Sequence, residues 1–252
     1  MEKISTNYII NQYKNGVGNY KEYTLEVGLW DSESYVFKKY LDQSFNILDI
    51  GCGTGRTTFG LRKAGFNKII GLDLTPEMIH EARKINEIFG YDIEFMIGDA
   101  TKLSFNDAEF DAAIFSFNGI MAIPNSVNRL KAFKEINRIL KKGGQFIFTT
   151  HDRNRINTHQ FWEDEKNKWA NGWESGNCRD TLYEFGDLLA TSKNESREIF
   201  IHMPDMEEVI EIIKASNFEL IETFFRSDAF DELKKVKEMS GECRFWVIKK
   251  YS

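Results

Sequence analysis

Three cysteines and three prolines in 252 residues are the first scarcities that bear on what this chain does. Cys52, Cys178 and Cys243 stand far apart, with neither a C-x-x-C pair nor a His/Cys cluster. That predicts a reducing compartment, no disulfide framework and no metal site. No block of five or six basic residues occurs and the net charge is −6, so the electrostatic footprint of a nucleic-acid binder is missing. This disfavours a tRNA, rRNA or DNA substrate. No run approaches the roughly 18 apolar residues that a membrane helix needs. The start, Met-Glu-Lys-Ile-Ser-Thr-Asn, carries no charged-then-apolar leader. A cytoplasmic protein with no membrane contact is expected. Repeats and low-complexity tracts are lacking too, while 42% hydrophobic and 14% aromatic residues suffice for one large buried core.

What is present is a strand, a glycine loop and a helix: Ile47-Leu48-Asp49-Ile50-Gly51-Cys52-Gly53-Thr54-Gly55-Arg56-Thr57. Glycine at alternate positions brings bare backbone against a ligand and aims the free N–H groups of a helix N-terminus at it. A pyrophosphate binder would want G-x-G-x-x-G. Here the third glycine is Gly55, and Arg56 holds the place a dinucleotide fold gives to glycine. Partners for such a site follow in order. Lys68 to Leu74 is a second short apolar strand ending in Asp73, about 20 residues past the loop, where α/β nucleoside binders place a carboxylate for ribose hydroxyls. Thr75-Pro76 predicts a helix start, with threonine as cap and proline at the first helical position. Ile93 to Ala100 is a third strand, ending at Asp99, and Phe110 to Asn118 a fourth.

The alternation of short strands and amphipathic helices over residues 46–150 predicts a parallel sheet with crossover helices. Met78, Ile79, Ala82, Ile85 and Phe89 give one helix its buried stripe; Leu130, Phe133, Ile136 and Leu140 do so for another. Pro204 to Ser216 reads as a later helix, and Phe218 to Phe225 and Cys243 to Ile248 as closing strands. Their connector, about residues 226–242, is short for a crossover, so an antiparallel last strand is expected.

Taken together, the loop and the ordered strand-end acids resemble the motifs of the class I methyltransferases, which use S-adenosylmethionine (SAM) and release S-adenosylhomocysteine. Arg129 to Gly144 followed by Gln145 to Thr150 is similar to that family's helix-LKpGG-strand element. The resemblance runs from about Phe45 to Thr150. It implies a Rossmann-like, mostly parallel seven-stranded sheet with helices on both faces and an antiparallel last strand. It also implies a SAM site made of Asp49, Gly51, Cys52, Gly53 and Gly55, with Asp73 on the ribose diol and Leu74 against the adenine. Asp99 would accept from the adenine amino group, the Ala100 N–H would read the neighbouring ring nitrogen, and Ser116 and Phe117 would lie beside the methionine end.

Each acid also has a plainer role open to it. Asp49 can satisfy backbone N–H groups of the glycine turn, Asp73 can favour the N-terminus of the following helix, and Asp99 can form a turn. Cys52 reads as a small filler rather than a nucleophile.

Two stretches lie outside the sheet: residues 1–45, expected as a lid or cap, and about 151–203, expected as a cap insertion in the SAM-binding unit of residues 46–252. Long connections within a compact domain are usually functional. The first carries Tyr8, Tyr13, Tyr20, Tyr23, Trp30 and Tyr35, aromatic faces able to hold a sulfonium before reaction. In the second, Thr181 to Phe185 and Glu198 to His202 are expected to pair as a hairpin. A general base must come from outside the loop, and His151, leaving the fifth strand at the ligand-binding edge, is the first candidate; it is also compatible with a turn cap. His80 reads as surface, and His159 and His202 are undecided. The family's base-amino methyltransferases carry two prolines after the fourth strand. Here the stretch is Ser116-Phe117-Asn118-Gly119, which disfavours a DNA-type acceptor. Asn118, His151, Tyr13 and Trp30 are therefore expected around a small molecule methylated at oxygen or nitrogen. Two other functions share part of the pattern: a non-catalytic SAM- or nucleoside-binding module, and an NAD-dependent oxidoreductase, which Arg56 argues against.

Overall fold

The computed structural model describes residues 2–117, 119–155, 159–171, 178–191 and 198–251. Three helices, α1 (Thr6–Lys14), α2 (Val17–Glu26) and α3 (Asp31–Tyr40), precede the sheet. The alternating part is β1 (Asn46–Ile50), α4 (Arg56–Lys63), β2 (Lys68–Asp73), α5 (Pro76–Phe89), β3 (Glu94–Ile97), β4 (Phe110–Phe115), α6 (Ser126–Ile139) and β5 (Leu140–Thr150). Then come α7 (His159–Asn171), β6 (Asp187–Thr191), β7 (Glu198–His202), α8 (Met206–Ala215), β8 (Phe218–Phe225), α9 (Arg226–Ala229), α10 (Lys234–Met239) and β9 (Arg244–Lys250). Seven strands form one sheet in the order β3-β2-β1-β4-β5-β9-β8. β9 runs antiparallel to both its neighbours, as the short connector predicts, and the pairs from β3 through β5 are parallel.

Side chains on these strands alternate between two buried layers. Leu48, Phe146, Phe148, Trp246 and Ile248 enter one core; Ile47, Ile147, Phe245 and Val247 enter the other. A sheet buried on both faces needs apolar residues at both parities, which is why β1 and β5 read as continuous apolar runs. β1 has β2 on one side and β4 on the other, so the strand order reverses there. Ligands of open α/β sheets bind in the crevice at the carboxyl ends flanking such a reversal.

Local signals account for most boundaries. Pro76 opens α5 and Gly90, at φ +65°, closes it in the left-handed conformation. The Thr75 side chain makes no capping bond; its backbone N–H instead donates to Asp73 Oδ1 at 2.8 Å. Asn125 caps α6 by accepting from the Val127 N–H.

The expected hairpin forms in a different register. Asp187, not Thr181, opens the strand that pairs with Glu198–His202. The N–H groups of Tyr183 and Glu184 are taken by Asp187 Oδ2 at 2.9 and 3.2 Å, and Gly186 at φ +100° turns the chain, so residues 181–185 cannot extend.

This hairpin is tied to the sheet domain by a buried charged network. His202 is 1% exposed, with Nδ1 2.8 Å from Asp187 Oδ1 and Nε2 2.6 Å from Glu208 Oε1 on α8. Glu208 also meets Arg153 at 2.9 Å and lies 3.5 Å from Arg129 of α6, which pairs with Glu184 at 2.6 Å. Burial by itself would lower the imidazole pKa; the hydrogen bonds to Asp187 and Glu208 outweigh it and raise it above the ordinary 6.5. A raised folded-state pKa stabilises fully below the unfolded value and is lost as pH rises through the folded value. Relative to His202→Asn, the wild-type protein should therefore lose part of its stability advantage between pH 6.5 and the alkaline range, measured by denaturant unfolding. At pH 6 the substitution should cost about 1–3 kcal/mol. A pH-independent difference would remove the imidazolium from this account.

Candidate functional site

The crevice at the carboxyl ends of β1, β2, β3 and β4 holds a cavity of about 190 Å3. β1 delivers Asp49 to its floor, 1% exposed. Among the described residues only the Thr58 hydroxyl donates to this carboxylate, at 2.6 Å to Oδ2. It therefore does not satisfy the loop's N–H groups. Burial pushes its pKa up to about 7, against the Thr58 hydrogen bond and the Arg56 charge, which pull it down.

The loop after β1 is built on left-handed backbone. Gly51 sits at φ +63° and Gly55 at φ +96°. A Cβ at Gly51 would stand 2.5 Å from the Phe115 ring, and one at Gly55 2.5 Å from Phe59, so conformation and space both demand glycine. Gly51, Cys52 and Gly53 line the cavity. Gly55 does not; it sets the entry of α4 as its N-cap residue.

From the next strands come Asp73 and Leu74, then Asp99 and Ala100, then Ser116 and Phe117, all in the cavity wall. Asp73 Oδ2 accepts from the Gly53 N–H at 2.9 Å while Oδ1 takes the Thr75 N–H. This one carboxylate thus pins the glycine loop to the start of α5. Burial raises its pKa, with the two backbone N–H groups opposing. Asp99 Oδ1 accepts both the N–H and the hydroxyl of Thr101 at 2.8 Å, so it does form a turn while facing the cavity. Three carboxylates and a bare-backbone loop therefore converge on one space, a donor set suited to a polyhydroxylated, amine-bearing ligand.

The outer wall comes from α1 and α2, which contribute Tyr13, Tyr20 and Tyr23. These helices lie against α4 and α5. Their contacts include a buried Thr24–Thr54 hydroxyl pair at 2.6 Å and the ion pairs Lys14–Glu77 and Lys21–Glu81 at 2.8 and 2.7 Å. Tyr13 stands where expected. Tyr20 and Tyr23 are equally part of the wall. Ile123 and Pro124, ahead of α6, and Asn128, in its first turn, also line the cavity. No sequence signal marked that stretch beyond Pro124 itself.

Two expected pocket residues are placed elsewhere. Trp30 is 1% exposed and does not line the cavity. As the residue preceding α3 it joins the core with Phe37 and Ile47, and reaches the site through Phe117, edge-to-face at 5.5 Å. His151 does not line the cavity either, because its Nδ1 is held 2.6 Å from the Glu242 carbonyl in the loop before β9. Burial lowers its pKa despite that bond. The remaining expected pocket residue, Asn118, lies outside the described residues.

Arg56 carries a role that the loop pattern did not announce. Its guanidinium forms a bidentate pair with Glu33 of α3, at 2.6 and 2.7 Å, and donates to the Gly28 carbonyl at 2.7 Å. Its Cζ lies 4.8 Å from the Trp30 ring centroid and 5.8 Å from that of Phe117. Arg56 is 7% exposed and Glu33 fully buried.

Comparison with known proteins adds four findings. A family model described as a methyltransferase domain matches residues 41–219. An uncharacterized protein of Methanocaldococcus jannaschii is 28% identical over 198 residues, covering 76% of this chain and 68% of that protein. A ubiquinone/menaquinone biosynthesis C-methyltransferase of Nitrobacter hamburgensis is 36% identical over 120 residues, covering 44% of this chain and 45% of that protein. Among solved structures, one from Methanosarcina mazei described as a SAM-dependent methyltransferase superposes with a TM-score of 0.68 over 89% of this chain and 99% of that one. At 20% identity that likeness is one of fold.

Removing one partner of a buried ion pair strands the other charge and costs about 3–5 kcal/mol. Arg56→Ala should lose that much stability in denaturant unfolding, and the double variant Arg56→Met/Glu33→Leu should recover most of it. A single variant within about 0.5 kcal/mol of wild type would show that the pair does not hold α3 to the loop.

Proposed function

The chain belongs to the class I SAM-dependent methyltransferase family, and from that premise we propose that it methylates an oxygen or nitrogen atom of a small-molecule acceptor in the cytoplasm. Family membership makes it an enzyme with SAM as cofactor, which sets aside both the NAD-dependent and the non-catalytic alternatives. The observation that carries the site assignment is the convergence of Asp49, Asp73 and Asp99 on the cavity that the glycine loop borders. Among the described residues, no helix is long and apolar enough to cross a membrane.

The residues fit the cofactor. Asp73 is fixed by two backbone N–H groups, and each of its oxygens keeps a lone pair for a ribose hydroxyl. Leu74 offers an apolar face for the adenine, and Asp99 and the Ala100 N–H its polar edge. Asp49, with a single protein donor, is the counter-charge for the amino group of the methionine end, beside Gly51, Cys52 and Gly53. Ser116 and Phe117 complete that side.

SAM supplies, when bound, a methyl carbon activated by its sulfonium. The chain's own residues then orient the acceptor in line with that carbon and keep water out, the part of the rate that positioning can provide. Since His151 faces away from the cavity, the acceptor's proton leaves without an imidazole from that position. A second reading, attack by an acceptor carbon, is favoured by the printed name of the Nitrobacter hamburgensis relative.

Calorimetric titration with SAM, S-adenosylhomocysteine and NADH in parallel tests the assignment: binding of the first two and no heat from the third is expected. Asp73→Ala should weaken S-adenosylhomocysteine at least about thirtyfold, the worth of one to two lost hydrogen bonds to a charged group, while circular dichroism stays unchanged. Wild-type affinity in that variant would sink the role of Asp73.

Asp49 makes the affinity depend on pH. Its carboxyl is half neutral near pH 7 in the free protein, and a bound ammonium favours the carboxylate. Affinity for S-adenosylhomocysteine should rise as pH goes from 5.5 to 7.5, by at most tenfold per unit for one proton, and Asp49→Asn should flatten the curve. An equal slope in both proteins would remove Asp49 from the contact.

A further inference from the structure

The walls of the cavity differ sharply in charge. The strand-edge wall holds Asp49, Asp73 and Asp99. The lining from α1, α2 and the stretch leading into α6 is mainly Ile9, Tyr13, Tyr20, Tyr23, Ile123 and Pro124. Within these walls the Tyr20 ring also reaches the glycine loop, 3.6 Å from where a Gly53 Cβ would stand. No described residue that lines the cavity from those walls is Asp, Glu, Lys, Arg or His. The lysines of these helices are committed elsewhere: Lys14 to Glu77 and Lys21 to Glu81.

Tyr20 is the centre of an aromatic set. Its ring lies 5.9 Å from Tyr13, 6.0 Å from Tyr23 and 6.3 Å from Phe117, with interplanar angles between 59° and 71°. Behind it, Ile9 and Tyr13 continue into an apolar cluster with Leu182 and Phe200 of the hairpin. Polar side chains on these walls are neutral, Thr6 on α1 and Asn128 on α6 among them.

From this we infer that the acceptor is an uncharged, flat aromatic ring bearing a hydroxyl, held by edge-to-face contacts with the tyrosines around Tyr20. The inference rests on the methyltransferase reading of the site and narrows its substrate class. Arg56 also borders the cavity, but its guanidinium is paired with Glu33. A carboxylate or phosphate on the acceptor would therefore be stripped of water with no free counter-charge, and an ammonium would compete with the cofactor for the three acids. A neutral ring gains dispersion and quadrupole contacts at the spacing these tyrosines already keep with one another. The ring hydroxyl is met by Thr6 or Asn128, neither of which carries charge.

The test uses three probes with one ring and different charge: 1-naphthol, 1-naphthoate and 1-naphthylmethylammonium. Each is titrated at pH 7 against the full-length protein by saturation-transfer NMR and calorimetry, with and without saturating S-adenosylhomocysteine. The naphthol should bind at least about tenfold more tightly than either ion, the preference that unpaired desolvation of a charge imposes. Tyr20→Ala should weaken the naphthol about fivefold and Tyr20→Phe should not, both read without the nucleoside present; wild-type naphthol affinity in Tyr20→Ala would overturn the inference. Equal or tighter binding of either ion, or no binding of the naphthol, would overturn the inference. Because the ring titrations run with and without the nucleoside, the preference is decided whichever way the cofactor measurement falls. Loss of nucleoside binding alone counts against the cofactor assignment instead.

Discussion

The buried pair between Arg56 and Glu33 is the contact on which the rest of the site depends. Glu33 is fully buried and Arg56 nearly so, so each needs the other, and the pair forms only when α3 lies against the start of α4. Glu33 Oε2 also accepts the Trp30 N–H at 3.0 Å, and Glu232 accepts the next two N–H groups, of Asp31 and Ser32. Three N–H groups at the start of α3 are thereby donated to two carboxylates. Trp30 is held with it, and Trp30 backs Phe117. Phe117 lies in the left-handed region at φ +48°, where a bulky side chain is strained, and its N–H is tied to Thr149 at 3.0 Å. An ion pair whose arginine borders the cavity thus positions an aromatic ring in its wall.

The second organising fact is the division of charge across the cavity. A parallel sheet ends with its strand carboxyl termini on one edge, and the loops there have backbone N–H groups with no ladder partner. Short acidic side chains placed at those ends can take the N–H groups and still face the cavity, as Asp73 and Asp99 do. Asp49 has no such backbone donors and is correspondingly perturbed by burial, up to about 7. Helices α1 and α2 need no polar groups of that kind, since most of their own N–H groups are paired within the helix, and they present tyrosines instead. The cation-bearing cofactor and the uncharged acceptor that we infer would each meet one side.

Much of this was legible in advance because it is written in short-range patterns. Alternate glycines in the loop, acids at the ends of apolar runs, and Thr75-Pro76 all act over a few residues, and the structure puts the loop and acids where those patterns direct. Tyr13 was found by composition alone, since aromatic residues in a polar stretch have to cover something. His151 and Trp30 were misplaced because nearness in sequence to the ligand edge says nothing of where a side chain turns. For His151 that is decided by Glu242, and for Trp30 by the core between α3 and β1. The hairpin slipped by six residues for a similar reason: Asp187 takes the N–H groups of Tyr183 and Glu184, a competition that strand propensity cannot register.

By itself the sequence determined the sheet, the order of its strand-end acids and the loop that they serve. Hydrophobic period, glycine and charge placement are local properties, and a doubly covered sheet leaves them few arrangements. Only the tertiary structure decided which side chains see the cavity. Arg56 turns to Glu33, His151 to Glu242 and His202 to Asp187 and Glu208, while Tyr20 and Tyr23 turn inward over the ligand edge. Those choices depend on partners 6 to 91 residues away. A buried charge or ring takes the conformation that satisfies it, and its partner exists only once the chain has folded.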